Sequence, residues 1–528
     1  MALRRGGGPA VTARWSVAPK PATSAGGEDD LPEQVRIRKG KRERLIDLER
    51  EPYPTIVART HSLAEIRATY EPMNLAADAR TGDVVSVVGR VIFLRNTGKL
   101  CFVRLREGAG DELQVILTQD DLGVVPLGEF KGLVDIGDFL GVTGEVITSR
   151  RGELSVRATT WEMAAKTLRP LPNEHKPLSD EARVRLRYVD MIVNPASRQM
   201  VRTRATVLRS LRETLDDRGY VEVETPILQQ TNGGAAARPF RTYLEAFDQT
   251  MLLRIALELD LKKAMIGGVE QVYEIGRTFR NEGLDSSHSA EFSMLEAYEA
   301  YGDIHSMKRL VRDLVVNAAR AVGRTVVTAR NGEEIDLEAE WKSASVIDLV
   351  SEKLGTEVSV DTPSARLRQY AAMRNVELEP HCWGSGEIIL ELYEQLVEPT
   401  LIQPVFVEDY PESVRPLAKP HRSKPGLVEA FDLVVNGLEL APAYTELNDP
   451  VIQRERLTEQ SLFAAAGNPE MMELDEAFLR AMEFGMPPAG GMGMGIDRLV
   501  MLLTGVGIRE TILFPLLRFE DPRSAGSR

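Results

Sequence analysis

The residues of this 528-residue chain that could do chemistry together are densest between Leu253 and Tyr301. Arg280 offers a planar fork suited to phosphate or carboxylate, and Glu296 and Tyr298 offer acceptors suited to an ammonium group. Around Val272 to Ile275, and again around Phe292 to Tyr298, apolar or aromatic residues alternate with charged ones, the period of half-buried strands. A Gly-containing polar loop joins the two runs, which predicts a long antiparallel hairpin. It would hold Arg280, Glu282, Glu296 and Tyr298 on stiff backbone, with Glu296 and Tyr298 on one face. That mixture suits a ligand carrying both signs; a cross-strand ladder of ion pairs on a solvated face is the alternative.

A second group lies near the C-terminus. Asp432, Glu439 and Glu446 recur every seven residues. Odd separations on one strand would split them between faces, but a turn at Asn436-Gly437 lets two strands bring all three to one pocket. Carboxylates gathered beside phosphate-binding arginines are what magnesium needs. In GGMGMGIDRLVMLL the glycines would let a nucleotide lie on backbone while Arg498 reaches its phosphates. The adjacent glycines of NGGAAARPF, residues 232–240, allow close backbone approach to a ligand or a plain turn.

The elements that must position these groups follow from the rest of the chain. Residues 1–31 are rich in Gly, Ala, Pro and Arg and read as a disordered tail, with an organelle transit peptide as the lesser alternative. Residues 32–50 read as a strongly basic helix, either an arm on RNA phosphates or a solvated face. From Asp83 to about Met163 five short alternating strands with Gly-containing turns predict a small barrel of the OB type. Arg90, Phe102, Gln114 and Glu153 are candidates for its binding face, an aromatic to stack a base and polar groups to read its edge; Phe102 is otherwise core. Residues 166–190 read as a linker, and SRQMVRTRATVLRSLRETLDDRGYVEVETPIL as an amphipathic helix followed by a Pro-terminated strand. Residues 303–425 hold helices and a less readable insertion, whose His381, Cys382 and Trp383 read as structural. The net charge of -14 argues on average against a nucleic-acid partner, although a local basic patch is compatible with it. Cys101 and Cys382 match no metal-ligand spacing and fit a reducing compartment, and no run of 18 apolar residues suggests a membrane span.

Together these blocks resemble the class II aminoacyl-tRNA synthetases, subclass IIb, and within them the lysyl-tRNA synthetases, most closely actinobacterial-type members. RGYVEVETPIL resembles the first family motif, FRNEG the second and GMGMGIDRLVMLL the third; NGGAAARPF, HSAEFSMLEAY and AYTELND resemble the lysine-specific branch. The resemblance implies an α+β chain. A basic helical segment over 32–80 would precede a five-stranded OB-type anticodon barrel over 81–165. After the linker would come a catalytic domain over 191–520, an antiparallel sheet flanked by helices, with a short tail over 521–528. It implies a cytoplasmic homodimer without membrane contact that uses ATP, L-lysine, tRNA and Mg2+. By position, Arg280 and Arg498 would be the catalytic residues, Arg280 binding the α-phosphate and the lysine carboxylate. Gly234 and Glu258 would hold the α-amino group, and Glu296, Tyr298, Tyr444 and Glu446 would form the rest of the lysine pocket. Glu282, His288 and Phe292 would join the two arginines around ATP, Asp432 and Glu439 would hold Mg2+, and Arg90, Phe102, Gln114 and Glu153 would read the anticodon.

Some positions depart from the family pattern. Leu257 and Asp260 stand within the stretch that many relatives write IAPELYLK, Ser289 and Ala290 replace the asparagine and proline of HNPEF, and Ala441-Pro442-Ala443-Tyr444 replaces GNGF. Proline at 442 lacks the amide of the expected asparagine, so either Arg280 suffices for the substrate carboxylate or the pocket has drifted. Two other functions fit the scaffold: a paralogue activating lysine or β-lysine for a non-tRNA acceptor, and a non-catalytic tRNA-binding regulator. The first conflicts with the presence of the barrel or the lack of an N-terminal membrane domain, and the second with retention of Arg280 and Arg498.

Overall fold

A computed structural model describes residues 32–172, 178–378, 384–465, 472 and 474–518. The expected tails at 1–31 and 521–528, the centre of the expected linker, and His381, Cys382 and Trp383 lie outside the described residues. The chain divides between residues 177 and 178 into two compact units.

In the first unit, helix α1 (Glu33–Asp47) places part of its basic sequence inward. Arg38 is buried and donates to Thr167 Oγ1 at 2.7 Å and to the Ile136 carbonyl at 3.0 Å, and Lys41 pairs with Asp135 at 2.6 Å. Strands β1 (Arg80–Asn96), β2 (Leu100–Arg106), β3 (Glu112–Thr118), β4 (Phe139–Thr148) and β5 (Leu154–Ala165) close a barrel in the order β1-β2-β3-β5-β4. Their alternation sends Val87, Val103, Leu105, Val115, Leu117 and Val156 into the barrel core and leaves the intervening residues outside.

The second unit opens its main body with α2 (Pro195–Asp216). Asn194 caps it by accepting from Ala196 N–H at 3.0 Å, and Pro195 takes the first turn, where its missing N–H costs nothing. Of the expected strand YVEVETPIL, β6 (Val221–Glu222) joins the edge of the main sheet and Leu228 pairs separately with Leu253, while Pro226 between them has no N–H to pair. There follow α3 (Glu258–Ile266), β7 (Gln271–Phe279), β8 (Glu291–Ala300), α4 (Ile304–Ala321), β9 (Lys342–Ser345), β10 (Val405–Glu408), β11 (Ala430–Val435), β12 (Leu438–Thr445), β13 (Ala489–Gly495) and α5 (Ile496–Thr504). The eight strands run β9-β10-β11-β12-β13-β8-β7-β6, antiparallel except for a parallel pair at each edge. Leu295, Ala297, Met492, Met494, Leu433 and Ala441 of the sheet share one core with Leu211 of α2, Leu314 of α4 and Leu499 of α5.

Candidate active site

The expected hairpin is β7 and β8, in register from Gln271 opposite Glu299 to Phe279 opposite Glu291. Its two functional ends differ from expectation. Glu296 and Tyr298 are on β8 and buried, whereas Arg280 and Glu282 lie just past β7, in the loop, with Glu282 exposed. Ladder pairing stops at Phe279, opposite Glu291. Arg280 is still fixed: its N–H donates to the Ala290 carbonyl at 2.9 Å, and its Nε donates to the Ile255 carbonyl at 3.4 Å.

The first cluster is built around carboxylates. Tyr298 donates its hydroxyl to Glu296 Oε2 at 3.1 Å, and Leu257 N–H donates to Glu296 Oε1 at 2.9 Å. One departure from the family pattern thus supplies a donor that proline at 257 could not. Burial, then the nearby Glu258 charge, pushes the Glu296 carboxyl up to about 7. Glu446 is fully buried just beyond β12, its N–H donating to the Ala489 carbonyl at 2.8 Å, and burial pushes it up to about 8. Glu258 opens α3 and is buried beside them. Gly234, at a φ of 85°, brings its loop onto Glu258, whose Cβ would be 3.2 Å from a Cβ added there.

Strand β13 backs this cluster through a period-two sequence. Met492 and Met494 point into the core, while Gly491 pairs with both Tyr298 and Tyr444, and Gly493 pairs with Glu296. A Cβ on Gly491 would overlap Glu446 and the Tyr298 ring, whereas one on Gly493 would stand 3.7 Å from Glu296 and 3.8 Å from Pro442. The glycines therefore form a trench floor with carboxylates along it. A cavity of about 1110 Å3 adjoins this region, and Gly234, Glu258, Arg415 and Tyr444 are among its lining residues.

The second cluster is cationic and acidic together. Arg498 donates to the Glu439 carbonyl at 2.7 Å, and its other terminal nitrogen is 3.3 Å from His288 Nε2. The neighbouring Asp497 anchors this turn: it accepts from Ser293 N–H at 2.8 Å and pairs with Arg204 at 2.5 Å. The Arg280 guanidinium lies 5.3 Å from the centre of the Phe292 ring. Asp432 is buried and paired with Arg415, and Glu439 N–H donates to Glu398 Oε1 at 3.2 Å. Burial raises Asp432 to about 6 against the pull of Arg415, and Glu439 raises it further.

Of the three acids spaced by seven residues, Asp432 and Glu439 lie on the paired strands β11 and β12, and Glu446 lies just beyond β12. The turn at Asn436-Gly437 forms with positive φ at both residues, and a bulge between Leu433 and Val434 sets Glu439 opposite Val434, two residues from Asp432, while Glu446 lies just beyond β12 against Lys262. Asp432 and Glu439 remain together. Two hard carboxylates without a closed protein cage suit Mg2+ completed by substrate phosphates; no group of three or more His, Cys, Asp or Glu poised for a metal occurs among the described residues.

On the barrel, Phe102 is half-buried on the outer face, not in the core. It pairs across to Arg95 and Ile116, and Arg104 beside it pairs with Gln114. Gln114 donates to Ser155 Oγ at 2.9 Å, and Glu153 lies 3.7 Å from Arg104. Arg90, on β1, donates to the Gly137 carbonyl at 2.8 Å and stacks 4.1 Å over Phe139. Sequence reasoning missed exposed Phe93, opposite Arg104 across the ladder, which a strict alternation count hides because the bulge lies just before it. It also missed Lys262, Glu398 and Arg415; of these only Lys262 carried a signal, four residues after Glu258 on one helix face.

An antiparallel sheet with arginines at the end of a hairpin and at the start of a helix behind a glycine strand defines a class of enzyme. Residues 179–518 match the family model for tRNA synthetases class II (D, K and N), and residues 85–164 match that for the OB-fold nucleic acid binding domain. The chain belongs to this class II family and, within it, to the lysine--tRNA ligases. A lysine--tRNA ligase of Kineococcus radiotolerans is 52% identical over 93% of this chain and 98% of its own length, and one of Mycolicibacterium gilvum is 51% identical over 94% and 99%. The lysylphosphatidylglycerol biosynthesis bifunctional protein LysX of Nocardia farcinica is 46% identical over 92% of this chain, which covers 43% of that protein.

Proposed function

We infer that this chain activates L-lysine with ATP as lysyl-adenylate and transfers it to the 3' end of its tRNA. The observation that carries the reading is the convergence of buried Glu258, Glu296, Glu446 and Tyr298 on a glycine-floored trench, with Arg280 at the adjoining hairpin end. A buried carboxylate set of this kind needs cations as partners, and lysine brings two. Gly234 and Glu258 would take the α-amino group, Glu296, Tyr298, Tyr444 and Glu446 the ε-ammonium, and Arg280 the carboxylate.

The lysine carboxylate attacks the ATP α-phosphorus, releasing pyrophosphate, and the tRNA 3'-hydroxyl then attacks the activated carbonyl, releasing AMP. No side-chain nucleophile is required. Arg280 and Arg498 would offset charge on the transferring phosphate, Phe292 would stack on adenine, and Glu282 and His288 would touch the nucleotide. Mg2+ held by Asp432 and Glu439 would supply further charge neutralisation on the triphosphate. Arg90, Phe102, Gln114 and Glu153 of a barrel domain over 81–165 would read the anticodon, and 191–520 would be the catalytic domain. Exposed Val221, Ile227 and Leu228 beside the short edge strand support a homodimer interface. Among the described residues no helix is long and apolar enough to cross a membrane; the cytoplasmic site of action is the one the family resemblance implies. Lysine-stimulated exchange between ATP and pyrophosphate, followed by charging of total tRNA with each labelled amino acid, tests the reading: exchange with another amino acid, or with none, overturns it.

The match to the LysX protein favours one second reading, in which the same activation serves lysine transfer to lipid. Labelled lysine appearing in a lipid fraction in the presence of tRNA would support it, and charging alone would exclude it.

A further inference from the structure

Lys262 is a buried cation at the carboxylate cluster that the proposed reaction leaves without a task. It is fully buried on α3, with Nζ 2.5 Å from Glu258 Oε1 and 2.5 Å from Glu446 Oε2, and 5.8 Å from the centre of the Tyr298 ring. The groups facing it are Glu258 from its own helix, Glu446 from the chain beyond β12 and the Tyr298 ring from β8; Glu296 of β8 stands near Glu446, and Tyr444 of β12 near Tyr298. A fold needing only stability would gain more from apolar side chains here, because burying three carboxylates and an ammonium costs desolvation that the pairing barely offsets.

We propose that Lys262 is a positioning residue for amino-acid selection, its ammonium bridging Glu258 to Glu446 and so setting both the spacing and the net charge of the pocket. Three carboxylates, Glu258, Glu296 and Glu446, less the one cation Lys262, leave two negative charges once all three are ionised. Two is the number of ammonium groups on a diamino acid, whose carboxylate is matched separately by Arg280. A mono-ammonium ligand of the same length leaves one buried carboxylate unpaired, which is the costly state. The i to i+4 spacing of Glu258 and Lys262 links the ends of the pocket, since the group proposed for the α-amino site and a group proposed for the ε-ammonium site share one counter-ion.

This inference rests on the lysine-pocket reading above. The test compares Lys262→Met, Lys262→Gln and Lys262→Arg with the unaltered protein in lysine-stimulated pyrophosphate exchange across pH. For Lys262→Met the lysine KM is expected to rise at least roughly tenfold at neutral pH, with ATP KM unchanged. Its lysine profile is expected to move about one pH unit upward, because Glu446 loses the cation that favours its charged form. Lys262→Arg keeps the charge and is expected to keep the profile of the unaltered protein whatever its KM. An unshifted profile in Lys262→Met, or a lysine KM raised by one factor at every pH, overturns the proposal. So does failure of both neutral variants to fold, which would make Lys262 a packing residue. Lysine-stimulated exchange in the unaltered protein separates the two levels: its absence refutes the pocket reading, and its presence with an unshifted variant refutes only the role of Lys262.

Discussion

Tyr298 and Gly491 are paired directly across the ladder between β8 and β13, and a single methyl group on Gly491 would overlap both the Tyr298 ring and the Glu446 carboxylate. Gly491→Ala is therefore expected to destabilise the fold by about 1–3 kcal/mol through overpacking. Its larger effect should be a raised lysine KM with ATP KM near normal. Exchange kinetics and a melting curve on the same sample check both.

Glu296→Gln keeps the shape and removes one charge. A loss of about 2–5 kcal/mol in lysine-dependent activation is expected, the range for breaking one side of a buried charged pair. If Glu296 merely braces the sheet, the melting temperature will fall and the lysine concentration dependence will not move.

Leu257→Pro deletes the N–H that holds Glu296 Oε1 at 2.9 Å. One lost hydrogen bond to a charged group is worth about 1.5–3 kcal/mol. Because that donor favours the ionised carboxyl, the lysine requirement should shift toward higher pH, measured as lysine KM across the neutral range.

The pocket itself should be pH-sensitive. Burial raises Glu296 to about 7 and Glu446 to about 8 from an ordinary value of 4.5. Only the ionised forms pair an ammonium, so lysine affinity should increase as pH rises through about 7 and about 8. Stability without lysine has the opposite sign: between 4.5 and about 8 the folded protein holds protons that the unfolded chain has released, so these groups make it less stable as pH rises. The melting-temperature gain on adding lysine should therefore grow with pH.

Phe102→Ala should lose about 1–3 kcal/mol of tRNA interaction and leave lysine-dependent exchange intact, because Phe102 stands outside the barrel core. The same comparison applied to Phe93 tests whether both rings stack on bases. Equal loss of charging and exchange would instead mean general unfolding.

The regular strands were legible because their alternation is local. The β7–β8 hairpin, the five barrel strands and the turn at Asn436-Gly437 all follow from period two and turn chemistry. What was not legible depended on register or on partners distant in sequence. The bulge in the β11–β12 pair set Glu439 opposite Val434, and the bulge in β1 put Phe93 opposite Arg104. Lys262 reads in sequence as one more basic residue on a helix; only Glu446, 184 residues later, makes it a buried bridge. The motif-one segment looked like a longer strand because its residues suit one, yet β6 has a single ladder partner.

The two residue types of β13 divide one strand into two inheritances. Met492 and Met494 occupy space whose requirement is volume, which leucine or isoleucine can meet. Gly491 occupies space already claimed by Tyr298 and Glu446, which no side chain can meet. Drift along this strand is thus open at Met492 and Met494 and closed at Gly491, and a lineage can remodel the hydrophobic interior here without touching the trench floor.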